Sequence, residues 1–120
     1  IFVEVARLRY EEVAGRHTGE ASADIAKRVA RARKQQYLRF RKEGINYNAE
    51  MLPQHLDKYC TLDAAGRDLL RHAFSRLRLS ARAYDRILKV ARTIADLEEE
   101  KKILPAHLAE AISYRQPVNY

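Results

Sequence analysis

The feature that most constrains the fold is a long run of apolar residues at helical spacing toward the C-terminal end of the chain. In "LSARAYDRILKVARTIADLE", residues 79–98, apolar positions recur every three or four residues. This period places them on one face of an α-helix that must be buried against other elements. Ser80, just before the run, predicts its N-cap. The buried face is predicted to consist of Tyr84, Ile87, Leu88, Ala91, Ile94 and Ala95.

Four other segments predict further helices, and together they favour a small bundle of about five. Ser22 and Gly44 are expected to bound a first long helix. Pro53 suits the first position of a short helix, Asp63 the cap of the next, and Pro105 the start of the last. The chain has only four glycines and three prolines in 120 residues, which also favours helices. The first helix has a narrow apolar stripe: Ile25, Val29, Ala32 and Phe40.

The first residues of the chain follow a different pattern. "IFVEV" alternates Ile1, Val3 and Val5 with other residues, which predicts a β-strand. No later segment predicts a partner for it, so we expect the partner strands to lie upstream. Because the chain begins with Ile1 and its one methionine is Met51, we expect a piece of a longer protein. We divide it into residues 1–20, the strand with a linker, and residues 21–120, the helical domain.

Positive charge is concentrated in the first predicted helix. The chain carries a net charge of +7, and residues 24–43 contribute +6 of it, with eight basic and two acidic residues. This helix could lie along nucleic-acid phosphates, with Arg31, Lys34 and Arg41 as the candidate contacts. The alternative is a solvated helix, because the charges surround it and only two aromatic residues accompany them, too few for a stacking platform.

Arg82 stands at the second position of the helix that Ser80 caps, where the helix dipole disfavours a cation. Free backbone N–H groups at this end favour an anion, and a guanidinium adds a bidentate phosphate ligand. The residues alone leave two interpretations open: a phosphate contact, or an ordinary exposed arginine. Arg86 and Lys89 continue the same face, which we expect to be solvated. Asp85 with Lys89 and Arg92 with Asp96 are the expected local pairs.

Other patterns of catalysis or metal binding are missing from the sequence. The four histidines show no metal-ligand spacing, so we predict no metal site. The chain has no "GxxxxGK[ST]" phosphate loop, so we do not expect it to hydrolyse a nucleotide alone. Cys60 is expected to be a core residue, and a single cysteine fits a reducing compartment, the cytoplasm. No run approaches the roughly 20 apolar residues of a membrane span.

Several segments resemble one family. "SARAYDRILKVARTIADL", followed by "LPAHLAEAISYR", resembles the C-terminal region of the Mg-chelatase-like AAA+ ATPases of the competence protein ComM (YifB) type. "NAEM" at residues 48–51, "YCTLDAAGRDLL" from Tyr59 and "IFVEVARLRYEEV" are also similar, so the resemblance covers essentially the whole chain. The sequence departs from this resemblance at Leu104, because a capping Ser or Thr is expected before the last helix. A weaker start of that helix is therefore predicted.

The resemblance implies a fold and a site. Residues 1–7 would be the last strand of the AAA+ core, and residues 21–120 its helical lid. Arg82 would be the sensor-2 arginine that reaches the γ-phosphate of ATP held by the core, with Arg86 as a second candidate contact.

The resemblance also implies a function for the complete protein. ATP and Mg²⁺ would be its cofactors, and its partners would be its own core, neighbouring subunits of a homo-hexamer, and DNA. ATP hydrolysis would drive DNA remodelling, as a helicase or in branch migration. Two alternatives stay open: the motor subunit of magnesium chelatase, which drives Mg²⁺ insertion into protoporphyrin, and a stand-alone basic helical module that binds nucleic acid.

Overall fold

A computed structural model describes residues 21–114, and this part of the chain folds into five α-helices. The predicted helical bundle is confirmed. The predicted strand within residues 1–20 lies outside the described residues, so the strand and the division of the chain stay predictions. The helices are α1 Ser22–Arg39, α2 Pro53–Tyr59, α3 Ala64–Arg76, α4 Ala81–Leu97 and α5 Pro105–Ser113, with a 3-10 turn at Asn48–Glu50.

Helix α4 is the centre of the bundle. It contacts α1, α2, α5 and the 3-10 turn, while α3 packs against α5. Its predicted apolar face is confirmed: Tyr84 is half-buried, and the other five positions are buried. Because burying an apolar side chain contributes about 1.5–3 kcal/mol, this face supplies much of the stability of the bundle. Its partners in the core include Phe40, Met51, Leu56, Leu70, Ile103 and Leu108.

The predicted starts of α2 to α5 are confirmed. The Oδ1 of Asp63 accepts the N–H of Gly66 at 2.7 Å, and the Oγ of Ser80 accepts the N–H of Ala83 at 3.1 Å. Each bond satisfies one of the N–H groups that a helix start leaves without an intrahelical partner. The two predicted prolines are the first residues of α2 and α5.

Helix α1 differs from its prediction at both ends. Ala21, not Ser22, is the N-cap, because the carbonyl of Ala21 accepts the N–H of Ile25 at 3.2 Å. Ser22 therefore lies inside the first turn. The helix ends at Arg39, and Gly44 closes the turn that follows with φ +78°, a conformation that glycine adopts without strain.

The apolar stripe of α1 is only partly buried. Ala32 and Phe40 are in the core, but Val29 is exposed, like most residues in the first half of α1. Gln36 interrupts the stripe and is nevertheless buried. Its side-chain oxygen accepts the backbone N–H of Asn48 at 3.0 Å, so the polar group keeps a partner inside the protein.

The turns at either end of α4 each contain a left-handed residue other than glycine. Arg78 has φ 53° and Glu99 has φ 58°. In each turn, the N–H of the residue that follows donates to a carbonyl five positions earlier. The distance is 3.1 Å from Leu79 to Phe74 before α4, and 2.8 Å from Glu100 to Ala95 after it. This is the Schellman motif, which ends a helix and sets the direction of the chain after it.

Candidate functional site

Arg82 is the second residue of α4, and it is exposed. The first N–H groups of a helix have no intrahelical partner and attract anions, so the backbone of this turn and the guanidinium favour the same ligand. Arg86 lies one turn further along α4 and is also exposed. The structure thus brings the two predicted residues to one end of one helix. Their contact with a phosphate stays a prediction.

The core fixes the position of Arg82 relative to the bundle. Leu79 is buried in front of the Ser80 cap, and Ile87 and Leu88 are buried one to two turns after Arg82. An exposed charge is therefore held between two buried anchors, and the first turn of α4 cannot shift without disturbing the core.

A buried ion-pair network joins the last turns of α4 to α1. Asp96 has no exposed surface, and its carboxylate accepts two hydrogen bonds from the Arg39 guanidinium, at 2.9 and 2.7 Å. Asn48 donates to the same carboxylate at 2.9 Å and accepts from Arg39 at 3.0 Å. The Nδ2 of Asn48 also reaches the hydroxyl of Thr93 at 3.0 Å. Three elements therefore meet at one carboxylate.

Arg92 extends this network into the turn after α4. Its guanidinium lies 3.3 Å from Asp96 and donates to the carbonyls of Glu100 at 2.7 Å and Lys101 at 3.0 Å. Burial lowers the pKa of Arg92, and the charge of Asp96 opposes that effect. The predicted pair of Arg92 with Asp96 forms. Its predicted place on the solvated side is wrong, because both side chains are buried where α1 packs against α4.

The basic residues of α1 divide into a buried and an exposed group. Arg39 belongs to the network, so the segment presents less charge to solvent than its composition predicts. Arg31 and Lys34 are exposed on neighbouring turns, and Arg31 lies 3.6 Å from Glu99. Arg41 is exposed in the turn after the helix. The three candidate nucleic-acid contacts therefore do not share one helix, and their role stays a prediction.

The two helices that start with a proline each carry a histidine in the first turn, which was not singled out from the sequence. "LPQH" at 52–55 and "LPAH" at 104–107 repeat one pattern. In both, the N–H of the leucine donates to Nδ1 of the histidine at 2.9 Å. The histidine therefore takes the role of the Glu or Gln at the third helical position of a capping box, since it accepts the N–H of the N-cap leucine. The Nε2 of His107 lies 3.0 Å from Glu98, so the imidazole bridges the cap to a carboxylate.

A second polar cluster ties the turn after α1 to α2. Glu43 accepts hydrogen bonds from the Tyr59 hydroxyl and from the Lys58 ammonium, the latter at 3.0 Å. These bonds lower the pKa of Glu43 below its ordinary value and raise that of Lys58. Cys60, next to this cluster, is buried as predicted, and burial raises the pKa of its thiol to about 11. Such a thiol is a poor nucleophile at neutral pH.

Within residues 21–114, no three His, Cys, Asp or Glu side chains are grouped so that they could hold a metal ion. No helix in the same range is long and apolar enough to cross a membrane.

Comparison with known proteins identifies close relatives of the described domain. The family described as "Magnesium chelatase, subunit ChlI C-terminal" matches residues 19–115. The uncharacterized protein YifB of Salmonella typhimurium is 44% identical over 97 residues, which cover 81% of this chain and 18% of that protein. Competence protein ComM of Haemophilus influenzae is 42% identical over 100 residues, which cover 83% of this chain and 19% of that protein. The chain spans less than a fifth of the length of these two relatives. The resemblance described above is confirmed.

Proposed function

The chain belongs to the Mg-chelatase-like AAA+ family of the ComM and YifB type, as its C-terminal domain, and on this premise we propose that it is the lid of a ring-forming ATPase whose Arg82 contacts the γ-phosphate of ATP. The observation that carries the proposal is the exposed guanidinium of Arg82 in the first turn of the central helix. Without a ligand, the helix dipole disfavours the positive charge of Arg82 by about 0.3–1 kcal/mol. A phosphate would be attracted by both the helix dipole and the guanidinium.

The chain's own residues would bind and orient the nucleotide. The guanidinium of Arg82 can form two parallel charge-assisted hydrogen bonds to phosphate oxygens, and Arg86 would reach the same anion from one turn away. Bound ATP and Mg²⁺ would supply the transferable phosphoryl group and a cation that neutralises its charge. The AAA+ core would hold both cofactors, and the lid would add a contact that ATP offers and ADP lacks.

The buried network gives the lid a way to transmit this contact. Arg39 and Asp96 clamp α1 to α4, so a movement of α4 that follows the nucleotide would carry α1 with it. Arg31 and Lys34 are exposed on α1 and would move as part of the same body. We propose that the moving lid contacts the AAA+ core, the neighbouring subunits of a homo-hexamer, and DNA. The ring would use this motion to remodel the DNA.

A second candidate activity has an observation in its favour. The matching family is described by a magnesium chelatase subunit, which favours a motor that drives Mg²⁺ insertion into protoporphyrin. We prefer DNA remodelling, since one relative at 42% identity is a competence protein. The exposed basic residues of α1 would also serve a phosphate backbone.

The test compares the steady-state ATP turnover of the complete protein with that of three variants. Arg82→Ala should lower turnover about 10- to 100-fold, because a hydrogen bond to a charged group contributes about 1.5–3 kcal/mol. Arg82→Lys should recover part of the loss, since an ammonium cannot form the bidentate contact. Arg76→Ala removes an exposed arginine at the end of α3 and should leave turnover unchanged. Wild-type turnover in folded Arg82→Ala would show that Arg82 is only a surface residue.

The proposed DNA contact has its own test in the same protein. Replacing Arg31, Lys34 and Arg41 together with glutamine should weaken DNA binding at low salt and flatten its dependence on salt, because each lost phosphate contact lowers the number of released counterions. Unchanged DNA affinity in the folded triple variant would leave α1 as a solvated helix.

A further inference from the structure

A shallow groove between α3 and α4 combines two guanidinium groups with two aromatic rings. It encloses about 220 Å³, opens to solvent and is lined by Arg67, Arg71, Phe74 and Tyr84. The two rings meet edge to face, with centroids 5.7 Å apart and planes at 84°. This geometry is favourable for an aromatic pair, so each ring holds the other in place. Phe74 is still 39% exposed, which leaves part of its ring available to a ligand.

The charged and aromatic groups lie along one line of α3. Arg67, Arg71 and Phe74 are four and three residues apart, the spacings that make side chains neighbours on a helix surface. Arg67 is held in place, since its Nη1 donates to the carbonyl of Leu62 at 2.9 Å. Arg71 is 76% exposed and only 3.9 Å from Asp68, an exposed pair of the kind that contributes little and exchanges easily with another anion.

The positive charge of residues 64–87, the segment that contains the groove, is supplied entirely by arginine. Residues 64–87 contain six arginines and no lysine, against two aspartates, a balance of +4. All six arginines are exposed. This second basic region does not show in the total charge, because the four acidic residues within 96–100 cancel it. Arginine binds phosphate bidentately and stacks on flat groups, so its exclusive use here favours a ligand with both features.

We propose that this groove binds a nucleotide unit of a single-stranded nucleic acid, with the base against Phe74 and the flanking phosphates on Arg67 and Arg71. The choice of nucleic acid as partner rests on the proposed function. A single strand exposes its bases for stacking, and proteins bind it by combining a positive groove with aromatic rings. A duplex hides its bases in the stack and would leave the ring of Phe74 without a role. An acidic peptide would use the arginines and likewise ignore the ring.

The experiment uses the 120-residue chain and a fluorescein-labelled oligothymidylate of about 15 nucleotides, followed by anisotropy at low salt. Arg71→Gln and Phe74→Leu should each weaken binding about tenfold, as expected for one phosphate or stacking contact. Phe74→Tyr keeps the ring and should retain the affinity. Arg76→Gln removes the same charge from the other side of α3, nine residues from Arg67, and should change affinity less than about twofold.

A second readout reports stacking directly. The chain contains no tryptophan, so Phe74→Trp introduces a single indole at the groove. Its fluorescence should be quenched when unlabelled oligothymidylate binds, and it serves as the probe even if Phe74→Leu fails to fold. An indole whose emission ignores saturating oligothymidylate would overturn the proposal, as would equal losses in the Arg71 and Arg76 variants.

The triple glutamine variant of Arg31, Lys34 and Arg41 separates this surface from the contacts proposed earlier for α1 and the turn after it. Loss of binding in that variant alone would support α1 and overturn the groove. Loss in the groove variants alone would do the reverse. No binding of oligothymidylate to the unmodified chain would overturn the groove, while the DNA contacts of the complete protein and the turnover result for Arg82 are tested separately. Tighter binding of a polyglutamate peptide than of oligothymidylate would also overturn the groove's assignment.

Discussion

Replacing Asp96 with alanine is expected to destabilise the domain severely. The carboxylate is wholly buried and carries two hydrogen bonds from Arg39 and one from Asn48. Its loss would leave the buried guanidinium of Arg92 and the half-buried one of Arg39 without their carboxylate, and the Nε of Arg92 already lacks a hydrogen-bond partner. Removing one partner of a buried pair costs about 3–5 kcal/mol. Because a whole domain is stable by only about 5–15 kcal/mol, Asp96→Ala should be close to unfolding.

Urea unfolding of the 120-residue chain, followed by the circular dichroism of the helices, measures this loss. The matched control is Arg31→Gln, which breaks a pair whose side chains are 55% and 62% exposed and should cost less than about 1 kcal/mol. The double variant Arg39→Met with Asp96→Leu should be more stable than Asp96→Ala, since it removes one of the two guanidinium groups left without a carboxylate and refills the space. A loss for Asp96→Ala no larger than that of Arg31→Gln would refute the reasoning.

Three further predictions concern single side chains. Burial raises the pKa of the Cys60 thiol from 9.0 to about 11, so the stability that the buried neutral thiol contributes is complete below pH ~9. This stability falls by about 2–3 kcal/mol as the pH rises toward 11, and urea titrations at several pH values, beside Cys60→Ala, measure the loss. Arg78→Gly should stabilise the domain by about 1 kcal/mol, because Arg78 holds φ 53°, and thermal melting checks it. His107→Ala should cost at least about 1 kcal/mol, since the N–H of Leu104 loses its acceptor, and urea unfolding checks it.

Each of these has a contradicting result. The reasoning about Cys60 fails if the wild type and Cys60→Ala lose stability in parallel between pH 9 and 11. A lower melting temperature for Arg78→Gly would mean that the arginine side chain contributes more than its backbone costs. Unchanged stability in His107→Ala would show that water replaces the imidazole at the start of α5.

The helices of this fold follow from local signals, which is why the sequence predicts them well. Ser80 and Asp63 bond to N–H groups three residues away, and the apolar face of α4 repeats within each turn. Ser22 failed as a cap because Ala21 can begin a helix through its carbonyl alone, a choice that residue preferences do not decide. The repeated Leu-Pro-x-His pattern was a readable signal for the two histidine caps and was missed.

The buried network was not predictable from periodicity. Arg39 and Asp96 are 57 positions apart, so their hydrogen bonds depend on how α1 and α4 pack. A charged residue is assigned to solvent by its polarity, and that rule misplaces Arg39, Arg92 and Asp96 together. The position of Arg82 was predictable from its cap. The groove of Phe74 and Tyr84 was not, since its rings come from different helices.

The affinities of the complete protein for ADP and for a non-hydrolysable ATP analogue test the central claim most directly. If Arg82 contacts the γ-phosphate, Arg82→Ala should weaken binding of the analogue about tenfold or more and change ADP binding less than about twofold, because ADP lacks the contacted group. The same measurement on Arg76→Ala should show neither change. Equal weakening of both nucleotides by Arg82→Ala, or of neither, would contradict the account.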